Sequence, residues 1–351
     1  MILDIFVTLY FRSLFMQLSL SILSLGLIMG CGKGKPGTYE IQAANSSSSG
    51  DVATQAAEKW EQRGDKASLL ESLSLYEQVI AGDPTNRDAA FHLVRGWYFM
   101  GDAHESETEA KLAAWDKAIT FGDMCLNINT AFKETLEKSG NKSEAIKLAT
   151  SEDVPCIYWT SASLGKWAKT NGILQSLKHK STFVGFMEQV EALQADYFYG
   201  APYRYWGAYF AVLPGFAGRD LDKSKVNFDK SIGIAPDYLG TYLLLADNWA
   251  RNSQNVEEFD QAVQYVLASD PEALPEDLLP ENRAELVKAQ KLWADRSGIF
   301  PSPPEAKPLV NQPPKKEAAP VPDATPAPAE EEVPADDAAP AETPENTPAP
   351  E

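Results

Sequence analysis

Residues 66–84 read KASLLESLSLYEQVIAGDP, and this stretch decides the fold. Leu69, Leu70, Leu73, Tyr76, Val79 and Ile80 recur at intervals of three and four, so they form one apolar stripe on a helix. Asp83-Pro84 stops that helix, because proline has no N–H to give and disfavours helix in the residue before it. The next run, TNRDAAFHLVRGWYFMGD (85–102), starts a second helix that presents Phe91, Val94 and Tyr98.

The same grammar returns far downstream. DLDKSKVNFDKSIGIAPDY (220–238) ends at Pro236 and is followed by LGTYLLLADNWARNS (239–253), and NVEEFDQAVQYVLASDP (255–271) ends at Pro271. Pro236 and Pro271 lie 35 residues apart, close to the ~34-residue tetratricopeptide period. Phe228, Ser231 and Pro236 have the spacing of Tyr76, Val79 and Pro84, an aromatic, a small-residue slot and a terminating proline. Between about residues 51 and 300 no alternating strand pattern competes. The expectation is an all-α chain of degenerate tetratricopeptide-like repeats, an α-solenoid in which each helix pair buries the apolar face of the next.

The middle departs from a plain repeat. VPCIYWTSASLGKWAKT (154–170) is a helix carrying Tyr158, Trp159 and Trp167. Residues 181–220 are dense in rings, including Tyr197, Phe198, Tyr199, Tyr203, Tyr205, Trp206, Tyr209, Phe210 and Phe216. Pro214-Gly215 and Gly218 break the helix there with an inserted loop.

The 351 residues carry a formal charge of −19, and no basic stripe is visible, which argues against nucleic-acid binding. Residues 301–351 hold 11 acids, 3 bases and 15 of the 24 prolines, and almost no apolar side chains. This composition reads as a disordered acidic Pro-rich tail. No metal-ligand spacing links His92, His104 and His179, and no phosphate loop, His-Glu-x-x-His or Gly-x-Ser-x-Gly occurs. No enzyme and no cofactor is expected.

Residues 1–30 end in an apolar run from about Leu14 to Ile28, the length of a signal h-region and short for a membrane span. Arg12 is the one base of the leader, and a start at Met16 leaves none. Leu27, Ile28, Met29 and Gly30 then precede Cys31 in the manner of a bacterial lipobox: a branched apolar residue at −3 and a small one at −1. Residues 1–30 are thus read as a lipoprotein signal peptide, Cys31 as the acylated mature terminus, and residues 31–50 as a flexible tether. Gly32, with no Asp after the cysteine, favours the outer membrane facing the periplasm. Cys125 and Cys156 are open to two readings, a disulfide in an oxidising compartment or two buried apolar thiols, of which the second is favoured.

With CIYWTSASLGKWAK (156–169), the run from Gly200 to Ala250 with its LPGFAGRD turn and APDYL, FDQAVQYVLASDPEALPE (259–276) and ENRAELVKAQKLWA (281–294), the chain resembles the TatT component family. These are lipoproteins with degenerate tetratricopeptide-like repeats, associated with tripartite ATP-independent periplasmic (TRAP) transporters. The resemblance covers about residues 51–297. It implies a partnership with a TRAP-type periplasmic solute-binding protein, a homo-oligomer, a trimer, and an internal pore or cavity that takes an apolar ligand. The competing function is an envelope assembly scaffold with no small-molecule ligand.

Against the bland reading that the rings simply fill a core, Tyr158, Trp159, Lys166 and Trp167 of one helix, and Tyr203, Arg204 and Trp206 of another, are the candidates for lining a ligand cavity. Lys166 or Arg204 supplies a cation for a carboxylate. Gly165, Gly200 and Gly207 permit close helix approach or open a groove.

Overall fold

The structure is a computed structural model that describes residues 35–40, 49–274 and 276–301. Cys31 and the tail from residue 302 lie outside the described residues. Among the described residues every regular element is helical and no strand occurs, so the chain is all-α.

Helices α1 (Ser49–Glu61), α2 (Lys66–Gly82), α3 (Arg87–Phe99), α4 (Thr108–Asn127) and α5 (Thr130–Ser139) follow in sequence. Then come α6 (Val154–Thr170), α7 (Lys180–Leu193), α8 (Tyr197–Val212), α9 (Leu221–Ile234), α10 (Leu239–Leu244), α11 (Val256–Ala268) and α12 (Leu279–Ala294). Short side chains with an oxygen start many of them. Asp65, Asn86, Asn129, Asp220 and Asn255 each accept a backbone N–H from the first turn of α2, α3, α5, α9 and α11. α2 stops at Gly82, just before Asp83-Pro84, as its sequence requires.

The stripe on α2 is buried where periodicity places it: Leu69, Leu73, Tyr76, Val79 and Ile80 are covered, while Leu70 is 44% exposed and falls off the stripe. α1 packs on α2, α3 on α4, α4 on α6, α6 on α7 and α8 on α9. A first core joins Trp60, Leu73, Tyr76, Phe121, Phe186 and Trp206, and a second gathers Phe228, Tyr242, Phe259 and Phe300. Full burial of one such side chain contributes roughly 1.5–3 kcal/mol, so Leu73→Ala costs about 2–5 kcal/mol once the cavity left behind is included.

Cys125 of α4 and Cys156 of α6 are buried as expected, but they are joined in a disulfide with Cα atoms 6.1 Å apart, which corrects the favoured reading as free thiols. The reason is a close helix crossing that spacing in the sequence does not reveal. Next to it, a Cβ on Gly122 would sit 2.0 Å from the Thr160 hydroxyl, so only glycine lets α4 and α6 approach this closely.

Two long-range connections complete the frame. Residues 35–40 fall inside the segment read as a tether, and they rest on α4. Asp116 accepts from the Gly37 N–H at 2.6 Å and from the Thr38 N–H and hydroxyl, and Tyr39 packs on Phe121. At the other end, α12 returns to the first helices. Glu281 accepts from Arg63 of the α1–α2 turn and from Arg95 of α3, and Lys288 reaches Asp102.

Candidate functional site

A helix that takes on one extra residue opens into a π-turn, and such turns are frequent at functional sites. Two occur here. α3 runs into a π-helical turn at Met100–His104, and α10 into another at Leu245–Ala250. Arg95, Tyr98, Phe99 and Asp102 on the first, and Gly240, Leu243, Leu244 and Asp247 on the second, share the same intervals, and all eight line one cavity of about 380 Å³.

The wall between them is aromatic. Tyr98 meets Trp159 at 5.0 Å between ring centroids, Trp159 meets Tyr158 and Phe198 at 4.9 Å each, and Phe198 meets Tyr238 at 5.8 Å. Phe198, Tyr199 and Gly200 have φ of 42°, 61° and 70°, a left-handed turn ahead of the regular part of α8. For Phe198 and Tyr199 this costs about 1–2 kcal/mol each. The turn presents two carbonyls inward, and Arg204, 3% exposed, donates to both: Nη1 to Tyr199 O at 3.0 Å and Nη2 to Phe198 O at 3.2 Å. Nη1 also donates to the Thr241 hydroxyl at 3.4 Å, and the guanidinium lies over the Tyr238 ring at 4.2 Å. Among the described residues no carboxylate forms an ion pair with Arg204.

Most of the other charges on the cavity are matched, the exposed Lys291 and Asp295 being the exceptions among the described residues. Lys166 and Lys288 both hold Asp102 at 2.5 Å, and Lys288 also holds Glu285 at 2.8 Å. Glu281 is held by Arg63 at 2.8 Å and Arg95 at 2.9 Å, and Asp247 by Arg251 at 2.8 Å. Burial works against the Asp102 carboxylate, but Lys166 and Lys288 outweigh it and keep the group well below the usual carboxylate range. Burial likewise works against the Lys288 ammonium, and Asp102 and Glu285 overcome it and raise it. Burial raises Tyr238, which is a neutral phenol at ordinary pH.

Of the seven candidates for this site, Tyr158, Trp159, Lys166 and Arg204 line the cavity together. The other three do not. Trp167 is buried with Trp115, Leu164 and Phe183 on another side of α6. Tyr203 lies under the Lys230 ammonium at 5.1 Å, and the Trp206 indole donates to Glu191 at 2.7 Å. Of the three glycines, Gly207 marks a close approach, since a Cβ there would sit 2.7 Å from Phe228, and Gly200 serves the left-handed turn. Arg95, Tyr98, Asp102, Tyr238 and Lys288 were missed. A signal for two walls was present in the sequence: FMGD (99–102) and LLAD (244–247) both read apolar, apolar, small, aspartate.

Among the described residues no Ser, Thr, Cys or His lines the cavity, and Asp102, Asp247, Glu281 and Glu285 are each tied to a cation, while Asp295 is exposed. Among the described residues no cluster of His, Cys, Asp and Glu has the makings of a metal site. No described helix is long and apolar enough to cross a membrane. The arrangement is suited to hold a small molecule with one anionic end against Arg204 and a flat or aliphatic body against the rings.

No curated protein matches the chain. The family model of the TRAP transporter T-component matches residues 66–300, more than half of the chain and a span that contains every cavity-lining residue. The chain belongs to the TRAP transporter T-component (TAtT) family.

Proposed function

We propose that this protein is a non-enzymatic, lipid-anchored accessory of a TRAP transport system that holds an organic acid in the cavity at Arg204 and exchanges it with the periplasmic solute-binding protein. The observation that carries the reading is one buried guanidinium without a carboxylate, in a cavity whose other acids, apart from the exposed Asp295, are paired. Burying an arginine is costly unless its charge is compensated, and here carbonyls, two hydroxyls and a ring do so without a counter-charge. A ligand carboxylate completes the set. The buried disulfide supports export, since such bonds persist in oxidising compartments.

Calorimetric titration with hexanoate and phenylacetate, each against its neutral amide, tests the reading. The acids bind and the amides bind at least about tenfold more weakly, because a charge-assisted hydrogen bond contributes roughly 1.5–3 kcal/mol. Equal affinity of acid and amide overturns the role of Arg204. Crosslinking of the anchored protein recovers a solute-binding protein, whereas recovery of cell-wall and outer-membrane components alone removes the exchange step. Cys31→Ser releases the chain from membranes, and a membrane-bound variant removes the anchor.

A further inference from the structure

We propose that the short helix Ile173–Lys178 and the neighbouring loop around Phe216 form the face that this protein lays on an anionic phospholipid bilayer. The inference rests on the anchoring of Cys31 for its placement, and on the structure for its chemistry.

The helix Ile173–Lys178 has no buried residue, and Ile173, Leu174 (70% exposed) and Leu177 all reach solvent. Phe216 is 84% exposed, and its loop is held beside this helix because Lys180, just after it, donates to the Ala217 carbonyl at 3.3 Å. Scattered apolar residues on a surface mean little, but three on one helical turn with a phenylalanine alongside make a patch. Its charge is also out of character. From Val154 to Met187 the sequence contains not one Asp or Glu, in a chain of net charge −19. Lys178, Lys180 and Arg219 flank the apolar residues. Among the acids of the neighbouring elements, Asp123 is bound by Lys142, while Asp220 accepts the Lys223 N–H at the start of α9 and Asp116 the Gly37 and Thr38 donors. An acidic protein is repelled by an anionic surface unless it approaches through a face of this kind. Exposed aliphatic and aromatic groups ringed by cations are what the headgroup region takes up.

Residues 35–40 lie on the same side. Gly37 sits on Ile119 and Asp123, Asp123 holds Lys142, and next to Lys142 the Ser143 hydroxyl donates to the Ser181 carbonyl at the start of α7. Ile119 shares a cluster with Trp167 and Phe183, and Trp167 meets His179, the residue after Lys178, at 6.0 Å. Cys31 precedes Gly37 by six residues, which span at most about 20 Å. An acylated Cys31 therefore holds this side of the molecule near the lipid.

The test uses the mature acylated chain on vesicles of phosphatidylethanolamine and phosphatidylglycerol, with a nitroxide at Leu174→Cys, Phe216→Cys or, as a control on α12, Val287→Cys, which is 65% exposed. At positions 174 and 216, collision with a water-soluble nickel complex falls at least fivefold on vesicles, and at 287 it does not. Equal access at all three positions overturns the proposal while leaving the anchor intact. The unacylated Cys31→Ser chain gives a second readout. It binds phosphatidylglycerol vesicles at least tenfold better than phosphatidylcholine vesicles, and Leu174→Glu with Phe216→Glu removes the difference. If Cys31 carries no lipid, the wild-type chain behaves as Cys31→Ser does, and this arm still decides. Protection of 174 and 216 by periplasmic extract without vesicles, and not by lipid, assigns the face to a protein and overturns the proposal.

Discussion

Two arginine sites border the same cavity and are built in opposite ways. Arg63 and Arg95 converge on Glu281, with Arg63 also donating to the Trp60 and Asp277 carbonyls, so their charge is answered within the chain. Arg204 is as deeply buried as Arg63 and is answered by two carbonyls, the Thr241 and Tyr158 hydroxyls and a ring, with no carboxylate among the described residues. The first arrangement ties α12 to α1 and α3. The second leaves charge directed at an opening. A buried cation whose acid is supplied by the fold reads as architecture, and one whose acid is missing reads as a place for something else.

The sharpest way to break this contrast is Glu281→Ala. It strands the buried Arg63 and the half-buried Arg95 guanidinium groups and should cost about 3–5 kcal/mol in urea unfolding, since removing one member of a buried pair leaves the others uncompensated. A loss below about 1 kcal/mol would show that the knot is decoration. Next in size, Cys125→Ala with Cys156→Ala should lower stability by about 2–4 kcal/mol, and wild-type protein should lose the same amount in reductant.

Arg204→Gln should weaken carboxylate binding by about tenfold or more. Its effect on stability should be smaller than that of Glu281→Ala, with Arg204→Lys recovering part of the affinity. If Arg204→Gln unfolds the protein as badly as Glu281→Ala, the two arginine sites are alike after all.

Asp102 gives a pH test. Its folded value lies below the ordinary 3.8, so its contribution is complete above that pH and is lost as pH falls through the lower folded value. Asp153 behaves in the same direction: burial opposes its charge, and hydrogen bonds from the Thr150 N–H, Asn129 and Arg87 overcome it. Melting temperature should change little from pH 5 to 7 and drop below about pH 4, with a shallower drop in Asp102→Asn. The smallest effect belongs to Arg251→Ala. Arg251 and Asp247 are 41% and 43% exposed, and such pairs contribute about 0–1 kcal/mol.

The fold was legible because its signals are local. Asp83-Pro84, Pro236 and the α2 stripe report helix ends and faces within one turn of the residues concerned. The site was half legible. Tyr158, Trp159 and Lys166 stand at intervals that share a helix face, and Arg204 is conspicuous among rings. Trp167, one residue beyond Lys166, points elsewhere, and only the packing of α4 and α7 shows it. Lys288 and Glu281 could not be paired with Asp102 and Arg63 from sequence, because those partners are 186 and 218 residues away. The disulfide failed for the same reason: its two cysteines meet through a helix crossing, and no periodicity encodes a crossing.

The return of α12 sets an order of assembly. In an open array of helix pairs each unit is finished once its neighbour exists, and growth can proceed from one end. Here Arg63 and Arg95 wait for Glu281, so the amino-terminal helices stay electrostatically incomplete until nearly all of the chain has emerged. The cavity is closed only at that docking step, since Glu281, Glu285, Lys288 and Leu292 of α12 form one of its walls.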